Sequence, residues 1–390
     1  MSFFIQGIGT VTPLGGTGQE TWSALCRGER APSALFTNGL ADRNYFSCPV
    51  PLKFVNDAGR QPRLRRSGTI SLLGAAAGFD ALGDAGLKPG IGLGTTTAVV
   101  FAICSGGVNY TRRFYHEIVT LGAHGASPLL FPETVYNAAA SHLAALLDVN
   151  EHSYTLVGDS SVGLEAIHFA TELLTIQPKL ERCLVVGTEE ADWLLADAFA
   201  SWRMATSRDQ FEVYGRSGGT IFGEGAAAVL IGRTGALTIT GSSPGLPFHS
   251  FRESKSVARK VFGCPGRVGL PEVIVSSANG TFVDEVERQV FDEVYPTVPV
   301  YAPKPAIGEA LGASALLQVA VAGLILRHQL LPGTLAAGSK LASLNRETRA
   351  CSSGQALVTC VGFNHQVNAL KLGLWAERVG GSGVGRGGES

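Results

Sequence analysis

The sequence predicts an α/β fold built in layers, with helices on both faces of its sheets. Short apolar segments rich in β-branched residues alternate with helical patterns along nearly the whole chain. Alternation of this kind is typical of sheets that are covered on both faces. The series of strands and helices also occurs twice, over residues 1–235 and over residues 236–376. We therefore expect two similar halves related by an internal duplication.

In the first half, apolar runs predict the strands, and alanine-rich or periodic runs predict the helices. The strands are expected at residues 3–8, 96–103, 153–157, 182–187 and 221–231. The helices are expected at residues 20–27, 63–86, 110–121, 137–147 and 162–176. The polar, proline-containing stretch at 28–62 is expected to be a surface excursion.

The second half repeats this pattern in a shorter form. Its strands are expected at residues 236–241, 272–276, 298–302, 355–362 and 367–374. Its helices are expected at residues 282–295 and 308–330. The last residues, 377–390, are rich in Gly and Ser, and a tail of this composition is expected to be disordered.

The composition favours a globular protein with a large core and argues against several functions. The 390 residues are 45% hydrophobic and 16% charged. The net charge is only −1, so the sequence does not predict a basic surface that would bind nucleic acid. Apolar runs such as 313–326 are too short or too interrupted for a membrane span. Seven cysteines without a CxxC pair favour reduced thiols and no metal site. Because the start lacks a signal-peptide pattern, we expect a cytoplasmic protein.

Ser160 is the most informative candidate residue. A β-branched, apolar run ends at Gly158, and a helical pattern begins directly after Ser161. This places the Ser160 hydroxyl at a strand-to-helix turn, beside unpaired N–H groups and the positive end of the helix dipole. Enzymes that hold an acyl group covalently often place the nucleophile at such a turn. The alternative is that Asp159, Ser160 and Ser161 are ordinary N-cap residues.

Other candidate residues occur in loops that also follow buried strands. Because pockets in α/β folds collect at such loops, we expect these side chains to converge on one site. The candidates are Ser160, Asn279 within Asn279-Gly280-Thr281, Lys304 with Glu309, and Phe363 with His365 in Gly362-Phe363-Asn364-His365.

Six motifs in order resemble those of the β-ketoacyl synthases, the condensing enzymes of the thiolase-like superfamily, over about residues 3–374. The resemblance implies the layered α/β/α/β/α fold of that superfamily, with no cofactor. The motifs are the opening 7–15, the segment 153–163 around the nucleophile position, Gly223-Glu224-Gly225-Ala226, Asn279-Gly280-Thr281 with Asp284, the stretch 304–313 that begins at Lys304, and Gly362-Phe363.

The catalytic groups of the family are not retained. The family uses a cysteine nucleophile and two histidines, and the matching positions here hold Ser160, Asn279 and Glu309. The resemblance also implies that Phe363 lines or gates the acyl channel. His365 stands where the glycine-rich loop of the family is altered, and it is a candidate substitute acid or base.

The replacements weaken the chemistry of condensation. A helix dipole can help to ionise a thiol, but a serine hydroxyl needs an adjacent base. An ionised Glu309 would also repel a malonyl carboxylate and the enolate formed from it. At 4 Å and an effective dielectric of about 20, this repulsion is about 4 kcal/mol. We therefore expect no decarboxylative condensation by this chain alone.

Two hypotheses remain open. The first is a non-condensing subunit, similar to the chain-length factors of type II polyketide and aryl-polyene systems. By resemblance, it would pair with a catalytically complete ketosynthase through a surface around residues 131–156. It would also bind an acyl carrier protein and shape the acyl tunnel. A homodimer is the other possible assembly.

The second hypothesis is a serine-dependent acyltransferase or thioesterase, or an atypical ketosynthase, in which Glu309 is the base for Ser160. This alternative requires hydrogen-bond reach between these two side chains.

Three further candidates are weaker. We expect Cys104 to be a buried structural thiol, because no helix start is predicted directly after it. His142 is expected on a helix face or at an interface. The carboxylates Glu189 and Glu190 are expected at the edge of the pocket or dimer rather than at a metal.

Overall fold

The structure is a computed structural model that describes residues 2–38, 43–216, 218–263, 269–336 and 338–375. The tail at 377–390, which the sequence predicts to be disordered, lies outside these residues. Cys264 also lies outside them.

The described residues form fifteen strands. In chain order they are β1 (Phe3–Val11), β2 (Ala34–Asn38), β3 (Arg43–Cys48), β4 (Thr97–Ile103), β5 (Ser153–Val157), β6 (Arg182–Glu189), β7 (Phe222–Gly223), β8 (Gly225–Gly232), β9 (Leu237–Pro247), β10 (Val273–Val275), β11 (Val300–Tyr301), β12 (Leu330–Leu331), β13 (Arg349–Ala350), β14 (Gln355–Val361) and β15 (Gln366–Leu374).

The same residues form eleven α-helices. In chain order they are α1 (Gly18–Cys26), α2 (Asn56–Gly59), α3 (Thr69–Asp84), α4 (Val108–Leu121), α5 (Ala138–Leu146), α6 (Val162–Ile176), α7 (Trp193–Ser201), α8 (Phe251–Gly263), α9 (Phe282–Val294), α10 (Lys304–Ile307) and α11 (Leu311–His328).

Two five-stranded sheets have the same topology. The first has the spatial order β1-β8-β6-β4-β5, and the second has the order β9-β15-β14-β10-β11. Numbered within its own half, each sheet has the order 1-5-4-2-3, with two antiparallel pairings followed by two parallel ones. The predicted internal duplication is therefore confirmed. The two sheets are joined where β1 pairs with β9, and the boundary at 235/236, between β8 and β9, stays a prediction.

The helices complete five layers. Helices α6 and α11 lie between the two sheets, and their apolar side chains form one core with residues from both. Helices α3 and α5 cover the other face of the first sheet. Helices α8 and α9 cover the other face of the second sheet. The layered α/β/α/β/α prediction is confirmed.

The central helices pack closely because their contact residues are small. A Cβ added at Gly163 of α6 would lie 3.0 Å from Leu316 and 3.1 Å from Ala315, both in α11. By length and composition alone α11 is long and apolar enough to cross a membrane, so the argument from the length of run 313–326 was wrong. Its apolar surface is instead buried between the sheets.

Several local predictions need correction. The surface excursion at 28–62 contains a hairpin, β2–β3, whose second strand pairs with β7. The predicted helix 308–330 begins only at Leu311, after the separate turn α10 and Gly308, which has a φ of +85°. The predicted helix 63–86 begins at Thr69. Helix α4 begins at Val108, four residues after Cys104, so the statement that no helix start follows this cysteine was wrong.

Candidate functional site

Ser160 lies at the buried turn between β5 and α6. Only 1% of the residue is exposed, and α6 begins two residues later. Ser161 occupies the N-cap position, but its side chain makes no capping bond. Asp159 instead accepts from both the N–H and the hydroxyl of Ser161, each over 3.1 Å. The Ser160 hydroxyl points elsewhere, so the N-cap alternative does not describe it.

Glu309 is fixed by its own backbone. Its N–H donates to the carbonyl of Ile221 and its carbonyl accepts from Gly223 N–H, each over 2.9 Å. The preceding Gly308 has a positive φ and lies against Gly223, where an added Cβ would be 3.1 Å from the neighbouring Cα. A glycine is favoured at such a position because other residues are strained there. The carboxyl group of Glu309 is therefore held rigidly inside the protein, with no exposed surface.

One carboxylate oxygen of Glu309 accepts three hydrogen bonds. Its Oε1 atom receives the Ser160 hydroxyl over 3.1 Å. It also receives the Ser314 hydroxyl over 2.5 Å and the N–H of Leu311, the first residue of α11, over 3.1 Å. Ser160 is thus one of three donors to this atom.

The other oxygen of Glu309 accepts two more. The Nδ2 atom of Asn279 lies 2.8 Å from Oε2, and the Nζ atom of Lys304 lies 2.6 Å from it. The Oδ1 atom of Asn279 accepts the hydroxyl of Thr281 over 2.6 Å, which fixes the orientation of the amide. The two side chains of the Lys304–Glu309 pair are only 2% and 0% exposed.

The electrostatics of this cluster favour an ionised Glu309. Burial alone would raise the pKa of Glu309, but the Lys304 charge and the hydrogen bonds from Asn279 and Ser314 outweigh it and hold that pKa below its ordinary value. Burial would likewise lower the pKa of Lys304, but the adjacent carboxylate raises it above its ordinary value. The pair is therefore a salt bridge at neutral pH.

The structure brings four predicted site residues together. Ser160, Asn279, Lys304 and Glu309 form one hydrogen-bonded group, which we call the Glu309 cluster. A weakly basic carboxylate with five donors is a poor acceptor for a further proton. The arrangement suits a closed polar core better than a reacting centre, and the individual catalytic roles stay predictions.

Phe363 and His365 lie beside the Glu309 cluster rather than in it. The Phe363 ring packs against Phe199 with ring centres 4.9 Å apart, in an apolar group that includes Leu311. The His365 ring stacks on Phe248, with ring centres 4.6 Å apart and planes 13° apart. Among the described contacts, none joins His365 to the cluster, so its role as a substitute acid or base gains no geometric support.

Ser314 was not predicted as a member of the site, and Thr281 was predicted only as part of the Asn279-Gly280-Thr281 segment, without a role of its own. Ser314 donates to Glu309 and also accepts the N–H of Ala310 over 3.0 Å. Thr281 orients Asn279 and caps α9. Their signal in the sequence is weak, since each is a small hydroxyl residue near a helix start, where such residues are common.

Glu189 ends β6 and Glu190 directly follows it, and both are buried hydrogen-bond acceptors. Glu189 accepts the N–H groups of Cys104, Ser105 and Gly312 over 3.0–3.1 Å. Burial raises the pKa of both carboxyls to about 7. Over the described residues, no group of three or more His, Cys, Asp or Glu side chains is arranged to hold a metal.

The remaining two weaker candidates have structural contacts. His142 lies on α5, and its Nε2 is 2.7 Å from the buried carboxylate of Glu133. The pKa of the Cys104 thiol is raised by burial and by Glu189. Neither environment activates a nucleophile, because a raised thiol pKa leaves little thiolate.

Two cavities of the described structure lie away from the Glu309 cluster. One of about 770 Å³ is lined by parts of α1, α3 and the end of α11. Another of about 660 Å³ is lined by residues 206–208, 210–212, 216 and 218–219, together with Arg30, Leu335 and Ala336. None of the four cluster side chains lines either cavity.

Comparison with known proteins gives relatives over nearly the whole chain. The ketoacyl synthase β subunit of tetracenomycin polyketide synthase from Streptomyces glaucescens is 26% identical over 369 residues, covering 86% of this chain and 88% of that protein. The 3-oxoacyl-[acyl-carrier-protein] synthase 2 of Vibrio harveyi is 22% identical over 366 residues, covering 85% and 87%.

A solved structure, the ishigamide ketosynthase/chain length factor, superimposes with a TM-score of 0.83 at 18% identity, covering 96% of this chain and 99% of that chain. A family profile described as the N-terminal domain of β-ketoacyl synthase matches residues 3–235. That match spans more than half of the sequence and agrees with the duplicated, five-layered fold. The chain belongs to the β-ketoacyl synthase family.

Proposed function

We propose that this chain is a non-condensing, chain-length-factor-like subunit of a fatty-acid or polyketide type of biosynthesis. It pairs with a catalytically complete ketosynthase and shapes the acyl tunnel of that partner. The relatives support this proposal, since one is a ketoacyl synthase β subunit and a structural neighbour is a ketosynthase/chain length factor.

The observation that carries the proposal is the Glu309 carboxylate, whose two oxygens together accept five hydrogen bonds. The position that resembles a catalytic histidine of the family holds an anion paired with Lys304 at 2.6 Å. Its five donors include Ser160 and Asn279, which stand at the other two catalytic positions. The side chains at the three catalytic positions are thus hydrogen-bonded to one another. Decarboxylative condensation also develops negative charge, which an ionised Glu309 would oppose.

The edge of the first sheet supports pairing with another chain. Strand β5 hydrogen-bonds only to β4 in the described sheet, so its other edge is open. Exposed edge strands are templates for association with a second chain. Nearby apolar side chains are also exposed, at 56% for Phe131, 50% for Tyr136 and 54% for Val157. This surface overlaps the region 131–156 that the sequence suggests for pairing.

The proposal includes an acyl carrier protein as the donor of the growing chain, because relatives such as the Vibrio harveyi enzyme are named for that partner. It also includes a cytoplasmic location and no cofactor. A homodimer is the competing assembly.

One observation favours the second candidate, a serine acyl enzyme. The Ser160 hydroxyl is within hydrogen-bond reach of Glu309, as this candidate requires. The lowered pKa of Glu309 argues against it, because a weak base does not activate a serine hydroxyl. The first proposal is therefore preferred.

Purification from the native host tests the pairing. The tagged chain should copurify in a 1:1 complex with a ketosynthase that keeps the catalytic cysteine and both histidines, measured by native mass spectrometry. The complex should decarboxylate malonyl-carrier protein, and the isolated chain should not. A strictly homodimeric chain with its own condensing activity would contradict the proposal.

Intact-mass measurement tests the second candidate. The wild-type protein and a Ser160→Ala variant are incubated with carrier-protein thioesters of several chain lengths. We expect no adduct on either protein. A stable acyl adduct that is absent from the variant would establish Ser160 as a nucleophile and favour the acyl enzyme.

A further inference from the structure

A second hydroxyl, that of Ser105, also lies at a strand-to-helix turn. Strand β4 ends at Ile103, helix α4 begins at Val108, and the turn between them contains Cys104-Ser105-Gly106-Gly107. Ser105 is partly exposed, whereas Ser160 is almost completely buried. A serine in this position is presented at the end of a strand, beside the positive pole of a 14-residue helix.

The carboxylate of Glu189 is the hydrogen-bond partner of this hydroxyl. Its Oε1 atom accepts the Ser105 hydroxyl and also the Ser105 N–H, the latter over 3.1 Å. Its Oε2 atom accepts the N–H groups of Cys104 over 3.0 Å and of Gly312 over 3.1 Å, which hold the carboxylate in place. Contact between a nucleophile and a base that other groups orient is the arrangement that nucleophilic catalysis requires.

Glu189 differs from Glu309 in basicity. Glu309 is paired with Lys304, which holds the pKa of that carboxyl below its ordinary value. Around Glu189, burial outweighs the hydrogen bonds from the backbone and from Ser105, and it raises the pKa to about 7. Glu189 is therefore the stronger base of the two, with a pKa near the pH at which a general base works best.

The two glycines that follow Ser105 offer N–H groups to an oxyanion. Gly106 and Gly107 are buried, and within the described part of the chain neither N–H group has a hydrogen-bond acceptor. Buried backbone N–H groups without an acceptor are rare, and they point to a ligand, an ion or a water molecule. In serine enzymes with a strand-to-helix turn, the residue after the nucleophile donates to the oxyanion in this way.

We propose that Ser105 and Glu189 form a nucleophile–base pair that hydrolyses small carboxylic esters. Glu189 takes the hydroxyl proton as the Ser105 Oγ atom bonds to the carbonyl carbon, and the alcohol leaves with that proton when its C–O bond breaks. Water then attacks the acyl-serine and gives a proton to Glu189. This proton passes to Oγ as the acyl C–O bond breaks, and the carboxylic acid is released.

The surroundings of the turn limit the size of the acyl group. The Tyr136 ring lies against Gly106, where an added Cβ would be 3.0 Å from the ring. We therefore expect room for a small acyl group only, and no acylation by a carrier-protein thioester. The inference is independent of the proposed function, since it holds whether or not the chain pairs with a ketosynthase.

Labelling with a fluorophosphonate tests the nucleophile, because this reagent bonds to activated serine hydroxyls with loss of fluoride. The full-length wild-type protein should gain one adduct by intact mass, located at Ser105 by peptide mapping. Ser105→Ala should gain none. The control Ser250→Ala removes an exposed serine outside the turn and should react as the wild type does. An adduct that survives in Ser105→Ala, or a wild-type protein that does not react, would overturn the proposal.

Hydrolysis of p-nitrophenyl acetate tests the base. The kcat/KM of the wild type should rise with pH to a plateau above about 7, as Glu189 loses its proton. Glu189→Gln should lower kcat/KM at least tenfold, and Ser105→Ala should reduce it to the rate in buffer. A pH-independent kcat/KM, or a loss of activity in Ser160→Ala and not in Ser105→Ala, would also overturn the proposal. If Glu189→Gln does not fold, the wild-type pH profile and Ser105→Ala decide.

Discussion

The Nζ atom of Lys304 lies 2.6 Å from the Oε2 atom of Glu309, in a part of the interior that solvent does not reach. The two residues are five positions apart and are separated by the turn at Gly308. A buried pair of this kind adds little net stability over an apolar replacement, but it is costly to break on one side. The stability of the protein should therefore depend on which of the two charges is removed.

Replacing Glu309 by Gln should lower the free energy of unfolding by about 3–5 kcal/mol, because it leaves Lys304 charged and unpaired in the interior. Adding Lys304→Met to this variant should recover most of the loss, since the Gln carbonyl can still accept hydrogen bonds. Urea unfolding measures both variants. A surface control, Asp57→Asn, breaks the exposed pair with Arg60 and should change stability by less than about 0.5 kcal/mol. A stable Glu309→Gln single variant would refute the ion-pair assignment.

Stability should fall as the pH rises from about 4.5 to 7. Burial raises the pKa values of Glu189, Glu190 and Asp284 to about 7, above their values in an unfolded chain. The folded protein therefore holds these protons more tightly than the unfolded chain does, which stabilises the fold. This stabilisation is fully present below about pH 4 and is lost progressively as the pH rises to about 7. Across that window each of the two glutamates contributes about 3 kcal/mol and Asp284 contributes about 4 kcal/mol. Glu309 has the opposite sign, because its pKa is lowered and its contribution is lost only as the pH falls below 4.5.

The variant Glu190→Gln isolates one of these groups. The Oε1 atom of Glu190 accepts the Asn109 N–H over 2.9 Å, which an amide oxygen can also do, and its Oε2 atom has no hydrogen-bond partner within the usual distance among the described residues. Urea midpoints measured between pH 4.5 and 8 should therefore be less dependent on pH in this variant than in the wild type. An unchanged slope would mean that Glu190 is ionised throughout.

Ser160→Ala should cost about 1 kcal/mol, since it removes one hydrogen bond from a carboxylate that keeps four other donors. Ser314→Ala is a matched control, because its hydroxyl donates to the same oxygen. Its cost should be larger, since Ser314 also accepts the N–H of Ala310. Neither substitution should change the condensing rate of the complex with a ketosynthase by more than a few fold. A rate abolished by Ser160→Ala alone would show that Ser160 reacts.

A charged residue on the open edge of β5 should block pairing. Val157 is 54% exposed on this strand, and Val157→Lys should weaken the complex at least tenfold, since lysine on an edge strand opposes association. Leu270→Lys is the control, because Leu270 is 73% exposed and lies outside β5. Light scattering after gel filtration measures the assemblies, and thermal melting shows that both variants fold. Equal complex formation by both variants would move the interface elsewhere.

The sequence predicts elements well where pattern and composition agree. Strand β5 and helix α6 have the predicted bounds, because the β-branched run stops at Gly158 and an apolar helical period begins soon after. Helix α8 was not predicted, since its mean character is polar and only a narrow face, including Ala258 and Val261, is buried. Its identity as a helix depends on packing against α9 rather than on its own pattern.

The site was predicted in outline only. The order of the loops indicates that Ser160 and Glu309, 149 positions apart, come together. It does not indicate that the carboxylate accepts five hydrogen bonds. Two of the five donors, the Leu311 N–H and the Ser314 hydroxyl, were not among the predicted site residues. These contacts follow from the backbone turn at Gly308, which a pattern of residue types does not specify.

The repeated strand order has an electrostatic consequence. Helices α6 and α11 each follow the third strand of their own half, so the duplication gives them equivalent places between the sheets. Their positive poles are therefore directed to the same region, where two like poles would repel in a dry interior. The carboxylate of Glu309 accepts both the Leu311 N–H at the start of α11 and the Ser160 hydroxyl just before α6. One negative charge thus serves as the counter-ion for both halves of the protein.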